Sequence, residues 1–240
     1  MTPEPVSAFA AAAYARLIDP PIAHRGLWAP KGAPENSLAA FEAAVDAGYA
    51  IELDVRLSSD GVPVVFHDGG LERMIGRQGR LADHTAAELS AMRLRDTREP
   101  IPRLDQVLSL VDGRAMLHIE IKSRPGQEGP LDQAVAALVE GYTGPFAIIG
   151  FNPYSHAWWA AHRPEVLRGL DCHVAADLAP HVEIARPHFL ALSRDILATP
   201  EAAKAREAGF AVTAWTIRSE AEAAEAAPHA DNIIFEGFRP

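Results

Sequence analysis

PPIAHRG (20–26) is the first of four β-like runs that end in histidines or charged residues. The other runs are IELDV (51–55), VPVVFHD (62–68) and MLHIEIK (116–122). Functional residues at strand ends are typical of the mouth of a parallel barrel, where the carboxyl ends of the strands meet. The four runs therefore predict an α/β fold with an active site at one end of its sheet.

Strand-like and helix-like segments alternate along most of the chain. SLAAFEAAVDAG (37–48) has the apolar spacing of a helix, with Asn36 or Ser37 as N-cap and Gly48 as the stop. Apolar, β-like runs lie near 21–24, 50–56, 115–121, 145–150, 166–171, 188–192, 211–216 and 231–235. Further helices are predicted near 104–111, 131–140, 153–162, 200–208 and 219–227. Eight strands with helical crossovers predict a TIM-type (β/α)8 barrel rather than a doubly wound open sheet.

The composition is that of one globular domain. A chain of 240 residues with 48% hydrophobic residues can bury a single large core, and no linker or repeat divides residues 1–240. The net charge of -10 disfavours nucleic acid and anionic membranes as partners. Cys172 is the only cysteine, which excludes a disulfide framework and a cysteine-based zinc site.

The amino-terminal stretch and the hydropathy favour a cytoplasmic protein without stable membrane association. Residues 1–18 are rich in alanine, but Glu4 and the lack of an early Lys or Arg are atypical of a signal peptide. No apolar run approaches the roughly 20 residues needed to span a bilayer. We expect a small-molecule partner, and the sequence leaves the oligomeric state open.

Asp60-Gly61 separates two alternating runs and therefore predicts a hairpin within residues 51–68. A two-residue loop would place Asp54 opposite His67, whereas a four-residue loop would place Glu52 there. Either register brings a carboxylate beside this histidine.

The second arm of the hairpin is predicted to lie at a sheet edge, because Pro63 cannot donate to a β-ladder. Residues 69–100 then form a small insertion with one short helix near 85–92.

Three carboxylates have the spacing of a metal site. Glu52 and Asp54 are two residues apart on a strand and share one face, as do Glu120 and Lys122. Two carboxylates about 4 Å apart repel by roughly 4 kcal/mol at an effective dielectric of 20. A cluster of three thus favours one bound divalent cation, and oxygen ligands suit Mg²⁺ or Ca²⁺ better than Zn²⁺. The alternative is structural ion pairing with Arg56, Lys122 or Arg103.

His24 and His67 are candidates for a general acid and a general base, since histidine can donate or accept a proton near neutral pH. Arg25 and Lys122 would offset the negative charge of a phosphate, Arg25 through a bidentate contact. A structural role for each histidine is the alternative, and zinc ligation is a lesser one because the spacing matches no compact zinc motif.

Several motifs together resemble the glycerophosphodiester phosphodiesterase family. They are IAHRG (22–26), APENSLAAF (33–41), IELDVRLSSDGVPVVFHD (51–68), LERMIGRQGRLADHTAAEL (71–89), IPRLDQVL (101–108), LHIEIK (117–122) and AWTI (214–217). The resemblance implies a TIM-type barrel and divalent-metal hydrolysis of glycerophosphodiesters to an alcohol and glycerol 3-phosphate. It also assigns roles, which are catalysis for His24 and His67, metal binding for Glu52, Asp54 and Glu120, phosphate binding for Arg25 and Lys122, and pocket lining for Glu35 and Trp215.

The chain departs from the family pattern at three places. His118 stands two residues before the pair Glu120 and Lys122, where the family often has Asn or Asp. We favour a role for His118 in filling the barrel. IIFEGFRP (233–240) replaces a sequence like IITDRP, which leaves open whether Glu236 takes the place of the usual acid. Gly150 removes a hydroxyl that the family usually has before Phe151.

Two other functions compete with diester hydrolysis of small glycerophosphodiesters. A lysophospholipase D or phospholipase-like activity could use the same barrel and histidine pair. A non-catalytic sensor that binds glycerophosphodiesters is the alternative from a different class. The sequence leaves open the head group, the choice of metal, the acid and base roles of the histidines, and whether water or the glycerol hydroxyl attacks.

Overall fold

Eight parallel strands close into a barrel in the computed structural model, which describes residues 1–8, 10–95 and 97–240. Within these residues the strands are β1 (Ile22–Ala23), β2 (Ala50–Leu57), β3 (Pro63–Val65), β4 (Leu117–Ile121), β5 (Phe146–Gly150), β6 (Leu167–Cys172), β7 (Phe189–Ser193), β8 (Ala211–Ile217) and β9 (Asn232–Phe235). β1 pairs in parallel with both β2 and β9, which closes the barrel. The predicted TIM-type (β/α)8 barrel is confirmed.

The first helix precedes β1, and the other helices lie in the connections between the barrel strands. They are α1 (Ala11–Ala15), α2 (Leu38–Asp46), α3 (Glu72–Ile75), α4 (Ala86–Ala91), α5 (Leu104–Val111), α6 (Pro130–Val139), α7 (Pro153–His162), α8 (Ala175–Ala185), α9 (Pro200–Glu207) and α10 (Glu220–Ala226). The Ser37 side chain accepts a hydrogen bond from an amide of the first turn of α2, so Ser37, not Asn36, is the N-cap. Across the described residues, no helix combines the length and the apolar character that crossing a membrane requires.

Helix α8 is an element that the sequence patterns did not indicate. Pro180 lies inside it, and Val174 at its N-cap provides no side-chain hydrogen bond. Neither feature is a helix-start signal, and an internal proline normally argues against a helix. Burial of Leu178 and Val182 against the strands outweighs these local signals.

Alternation along β2 and β4 sorts side chains between the barrel interior and its outer face. Leu53, Val55, Ile119 and Ile121 are buried in a hydrophobic cluster with residues of α2, α5 and α6. Residues two apart on a strand share a face, so the intervening acids point into the barrel. This arrangement confirms the prediction that Glu52 and Asp54 share one face of their strand.

The barrel floor is filled by side chains. His118 is fully buried and lies edge-on to the Phe189 ring, with centroids 6.0 Å apart. Gly169 leaves the space for this ring, because a Cβ there would overlap it. His118 therefore fills the barrel, as expected.

The hairpin arm differs from both predicted registers. The ladder pairs Val55 with Val65, and the amide of Ser58 closes a turn of three residues that ends at Gly61, where φ is +78°. The observed loop has three residues, whereas the two predicted registers require loops of two or four residues. β3 ends at Val65, so His67 lies beyond the ladder and directly opposite neither predicted carboxylate.

In its described residues, the insertion at 69–100 contains two short α-helices, α3 and α4, and a 3-10 turn (Leu81–Asp83), where one helix was predicted. Helix α3 is a single turn that ends at Gly76 in the left-handed conformation. Leu71, Met74 and Leu89 pack with Phe66 into a hydrophobic cluster of the insertion and the hairpin arm. This cluster anchors the insertion beside the carboxyl ends of β2 and β4.

Candidate active site

Carboxylates from two neighbouring strands meet at the carboxyl end of the barrel. The register of β2 and β4 places Asp54 beside Glu120 and Glu52 beside His118. One oxygen each of Glu52, Asp54 and Glu120 lies within 4.8 Å of the other two. We call these three residues the acidic cluster, and all three are buried.

Burial and mutual repulsion act on the pKa values of the acidic cluster. Burial, together with the charges of Asp54 and Glu120, raises the pKa of Glu52 well above its usual range. Burial raises the pKa of Glu120 to about 7, although Lys122 opposes this shift. Burial also acts to raise the pKa of Asp54, but Lys122 and Arg25 outweigh it and hold that pKa well below its usual range.

The donor set fits a hard divalent cation. Glu52 Oε1 and Asp54 Oδ1 are buried without a hydrogen-bond partner in the described structure. Three oxygen donors at this spacing suit Mg²⁺ or Ca²⁺, which prefer carboxylate ligands. No other group of three potential metal ligands is found in the described residues, and this group contains no histidine, so zinc ligation by His24 and His67 gains no support.

Lys122 and Arg25 supply positive charge beside the acids. Lys122 Nζ lies 2.9 Å from Asp54 Oδ1 and 2.8 Å from Glu120 Oε1; only the contact with Glu120 has hydrogen-bond geometry. The Arg25 amide donates to Glu52 Oε2 at 2.9 Å, and Arg25 Nε is 3.2 Å from Asp54 Oδ2. Ion pairing with Lys122, one of the structural alternatives, is thus present together with the cation-binding geometry.

Asn36 is a site residue that the sequence analysis considered only as a helix cap. Its Nδ2 donates to Asp54 Oδ2 at 2.7 Å, and its Oδ1 accepts from the Asp54 amide at 3.2 Å. These two contacts fix the orientation of the Asp54 carboxylate. In the sequence, the Glu-Asn-Ser motif before α2 was the feature that could have indicated this role.

His24, at the end of β1, is held by an acid and an arginine. His24 Nδ1 lies 2.7 Å from Glu236 Oε2, and Arg218 Nε donates to Glu236 Oε1 at 2.8 Å. Burial opposes ionisation of Glu236, but the contact with His24 and the charge of Arg218 lower its pKa to about 2. An ionised Glu236 accepts the Nδ1 proton, which leaves His24 Nε2 for the pocket.

His67 has the same kind of support from different residues. His67 Nδ1 lies 2.6 Å from Asp68 Oδ1, and Arg73 Nε donates to Asp68 Oδ2 at 2.6 Å. Burial lowers the pKa of His67, so the neutral imidazole is favoured at neutral pH. Both histidines therefore have Nδ1 on a carboxylate that an arginine holds in place.

Glu35 lies behind Arg25 rather than on the central pocket. Glu35 accepts hydrogen bonds from Arg25 Nη1 at 2.8 Å and from both terminal nitrogens of Arg73 at 2.7 Å. It links the arginine beside the acidic cluster to the arginine that holds Asp68. Its predicted contact with substrate stays a prediction.

A central pocket of about 160 Å³ collects the predicted residues. Seven of the nine line it, namely His24, Arg25, Glu52, His67, Glu120, Lys122 and Trp215. Asp54 is fully buried beneath it.

Asp171 is a fourth carboxylate at this pocket, and the sequence analysis did not assign it a role. It lies in β6, is buried, lines the pocket, and has no hydrogen-bond partner for Oδ2. Burial and the charge of Glu120 raise the pKa of Asp171 well above its usual range. The signal was an acid near the carboxyl end of the β-like run LRGLDC (167–172).

An aromatic wall, formed by Phe151 and Trp215, lines the pocket on the side of β5 and β8, and His173 packs against Phe151 outside the pocket lining. The Phe151 ring packs edge-on against both other rings, with centroid distances of 5.5 Å. Trp215 Nε1 donates to the Ala191 carbonyl at 2.9 Å, which fixes the indole. The wall offers an apolar surface to the carbon atoms of a small ligand.

Comparisons with a family model, with curated proteins and with solved structures all identify phosphodiesterases as similar proteins. Residues 24–145 match the model of the glycerophosphoryl diester phosphodiesterase family. The glycerophosphodiester phosphodiesterase of Caldanaerobacter subterraneus is 36% identical over 56% of this chain and 58% of its own length. Mouse glycerophosphodiester phosphodiesterase 1 is 36% identical over 51% of this chain and 38% of its own length. The chain thus spans about half the length of these curated relatives.

A solved structure is similar over nearly the whole chain. It is an Oleispira antarctica phosphodiesterase in complex with the product sn-glycerol-3-phosphate. The two chains superpose with a TM-score of 0.84 and are 27% identical, and the match covers 93% of this chain and 94% of the other.

Proposed function

The chain belongs to the glycerophosphoryl diester phosphodiesterase family, and from this premise we propose that it hydrolyses glycerophosphodiesters to an alcohol and sn-glycerol 3-phosphate. The observation that carries the proposal is the convergence of His24 and His67 on one pocket with the acidic cluster. The product bound by the Oleispira antarctica protein is glycerol 3-phosphate. The proposal assigns that product to this chain.

The acidic cluster would hold one divalent cation, Mg²⁺ or Ca²⁺. When bound, such an ion acts as a Lewis acid on a phosphoryl oxygen and promotes deprotonation of the nucleophile. Glu52, Asp54 and Glu120 would be its protein ligands. Asn36 would orient Asp54 for this role through its two hydrogen bonds.

Arg25 and Lys122 would bind the phosphate and balance its charge. Both border the acidic cluster, and both line the central pocket. Glu35 would hold the Arg25 guanidinium in position. Trp215 would pack against the glycerol carbons, where an apolar surface suits C–H groups.

The two histidines would transfer the protons. One histidine removes a proton from the nucleophile, whose oxygen forms the new bond to phosphorus. The bond between phosphorus and the alcohol oxygen then breaks, and the other histidine donates a proton to that oxygen. The nucleophile is water or the glycerol 2-hydroxyl, and attack by the hydroxyl gives a cyclic phosphate that water opens in a second step.

The test incubates the purified protein with glycerophosphocholine, glycerophosphoethanolamine, glycerophosphoinositol and lysophosphatidylcholine, each with Mg²⁺, Ca²⁺ or EDTA. We expect glycerol 3-phosphate from the first three, with a metal and not with EDTA. His24→Ala and His67→Ala should each lower kcat/KM by at least about 100-fold, the usual contribution of one acid or base.

His84→Ala is the matched control, because His84 is a partly buried histidine outside the central pocket. Release that survives EDTA would contradict the metal role, and full activity in both histidine variants would contradict the acid–base role. Turnover of lysophosphatidylcholine alone would support a lysophospholipase D. Binding of diesters without turnover under any metal would support the sensor.

A further inference from the structure

A second cavity adjoins the central pocket. It is a groove of about 940 Å³ between residues 69–82 of the insertion and residues 122–131 after β4. The central pocket measures about 160 Å³, whereas sites that enclose small organic ligands usually measure roughly 300–1,000 Å³. A diester with a polar head group therefore extends beyond the central pocket.

The groove reaches the reaction centre at its His67 side. Lys122 lines both cavities, and Arg56 at the groove donates from Nε to the His67 carbonyl at 2.7 Å. In the barrel, β8 with Trp215 lies four strands from β4 in either direction. A substrate whose glycerol packs on Trp215 therefore directs its alcohol group across the pocket toward the groove.

The groove is basic, although the chain as a whole carries a net charge of -10. Among the described residues that line it, Glu72 is the only acid, and the cations are Arg56, Arg80, Lys122 and Arg124. Lys122 is balanced by Asp54 and Glu120. We name this cavity the basic groove.

Three of the four cations have no paired carboxylate. In the part of the chain that the structure describes, Arg56, Arg80 and Arg124 form no ion pair within 4.0 Å, whereas Arg25 and Arg73 both pair with Glu35. Guanidinium groups that lack carboxylate partners can bind phosphate or carboxylate oxygens in bidentate fashion.

We propose that the basic groove is a head-group site that selects diesters whose alcohol carries an additional anionic group, a phosphate or a carboxylate. This inference rests on the proposed function, since the groove continues from the same reaction centre. Arg56, near His67, contacts the inner part of the head group, and Arg80 and Arg124 bind its outer anionic group. A cationic head group such as choline is disfavoured.

The test compares two substrates that differ by one phosphate, glycerophosphoinositol and glycerophosphoinositol 4-phosphate. We expect the wild-type protein to show kcat/KM about tenfold higher for the phosphorylated diester, the factor that one charge-assisted contact supplies. The double variant Arg80→Gln/Arg124→Gln should lower this ratio to near one. Its kcat/KM for glycerophosphoinositol should stay within about twofold of wild type, because neither arginine lines the central pocket.

Arg114→Gln is the control. Arg114 is an exposed arginine that pairs with Glu42, and it lies just before β4, at the opposite end of the barrel. It should leave the ratio unchanged. A wild-type ratio near one, or an unchanged ratio in the double variant, would overturn the head-group site while leaving diester hydrolysis intact. Absence of turnover with both substrates would instead contradict the proposed function. In that case, calorimetric titration of both diesters after removal of divalent cations still measures whether the protein binds the phosphorylated diester more tightly.

Discussion

The two halves of the barrel contribute different chemistry to one pocket. The first half, from β1 to β4, supplies the acidic cluster together with Arg25, Lys122 and both histidines. The second half, from β5 to β9, supplies the aromatic wall, Asp171 and Glu236. The acids of the first half pair with a cation, as in the contacts of Lys122 with Asp54 and Glu120, whereas Asp171 forms no ion pair among the described residues. The groups that we propose to react thus lie in one half, and the other half lines the pocket and holds His24 through Glu236.

The largest effect is expected from the acidic cluster. Glu120→Gln keeps the shape of the side chain but removes a negative charge, so we expect kcat/KM to fall by about 1000-fold and metal affinity to fall with it. Steady-state kinetics and calorimetric titration with Mg²⁺ and Ca²⁺ measure both quantities. Glu42→Gln, at an exposed position that pairs with Arg114, is the control in the same half and should behave as wild type. Metal affinity unchanged in Glu120→Gln would remove Glu120 from the ligand set.

A smaller effect is expected from the acid that the second half contributes. Glu236→Gln removes the anionic partner of His24, so we expect kcat to fall by about 10- to 100-fold with little change in KM. Glu236→Asp should recover part of the loss. Asp68→Asn, which makes the same change at His67, should cost a similar factor.

Glu225→Gln, an exposed acid on α10, serves as the control for both variants. Parallel losses in Glu236→Gln and Asp68→Asn would show that both halves support their histidine in the same way. A loss confined to Asp68→Asn would assign the positioning role to the first half alone.

The second half also makes stability depend on pH. His156 on α7 is buried with Nε2 3.0 Å from the Gly150 carbonyl, and burial lowers its pKa to about 4. The unfolded state, with a pKa near 6.5, binds more protons than the folded state between these values. The free energy of unfolding therefore falls as pH drops from about 7 toward 4, with about 2 kcal/mol from this residue at pH 5.

Denaturant unfolding at pH 7 and pH 5 measures this contribution. His156→Gln should show about 2 kcal/mol less destabilisation between the two values than wild type, because glutamine does not titrate. His162→Gln, at an exposed position on the same helix, should follow wild type. Equal pH dependence in the His156 variant and wild type would show that this site does not exclude a proton in the folded state.

The smallest effect is expected at the aromatic wall. Trp215→Ala should raise KM for glycerophosphodiesters by about tenfold and leave kcat nearly unchanged, since an apolar contact of this kind contributes roughly 1–3 kcal/mol to binding. Trp215→Phe should retain most of the affinity. Trp158→Phe, a partly buried tryptophan of α7 outside the pocket, is the control. A change in kcat rather than KM would assign Trp215 to the chemistry of the first half.

Sequence patterns predicted the first half better than the second. Glu52, Asp54 and Glu120 follow strict alternation on buried strands, so their common face could be inferred without tertiary information. Asp171 had no second acid two residues away on its strand, and Glu236 lay in a segment that departs from the family pattern, so neither had a local partner to indicate a role. Asn36 carried the signal of a helix cap, and its contact with Asp54 depends on packing across strands.

The sequence by itself determined the barrel, the orientation of the acidic cluster and the two histidines that bear on it. Alternation, capping and turn signals are local, and they act over a few residues whatever the rest of the chain does. The tertiary structure decided the hairpin register, helix α8, the link from Glu236 to His24 and the basic groove. Each of these depends on loop length, on burial or on contacts between residues distant in sequence, and His24 and Glu236 are brought together only because β1 pairs with β9.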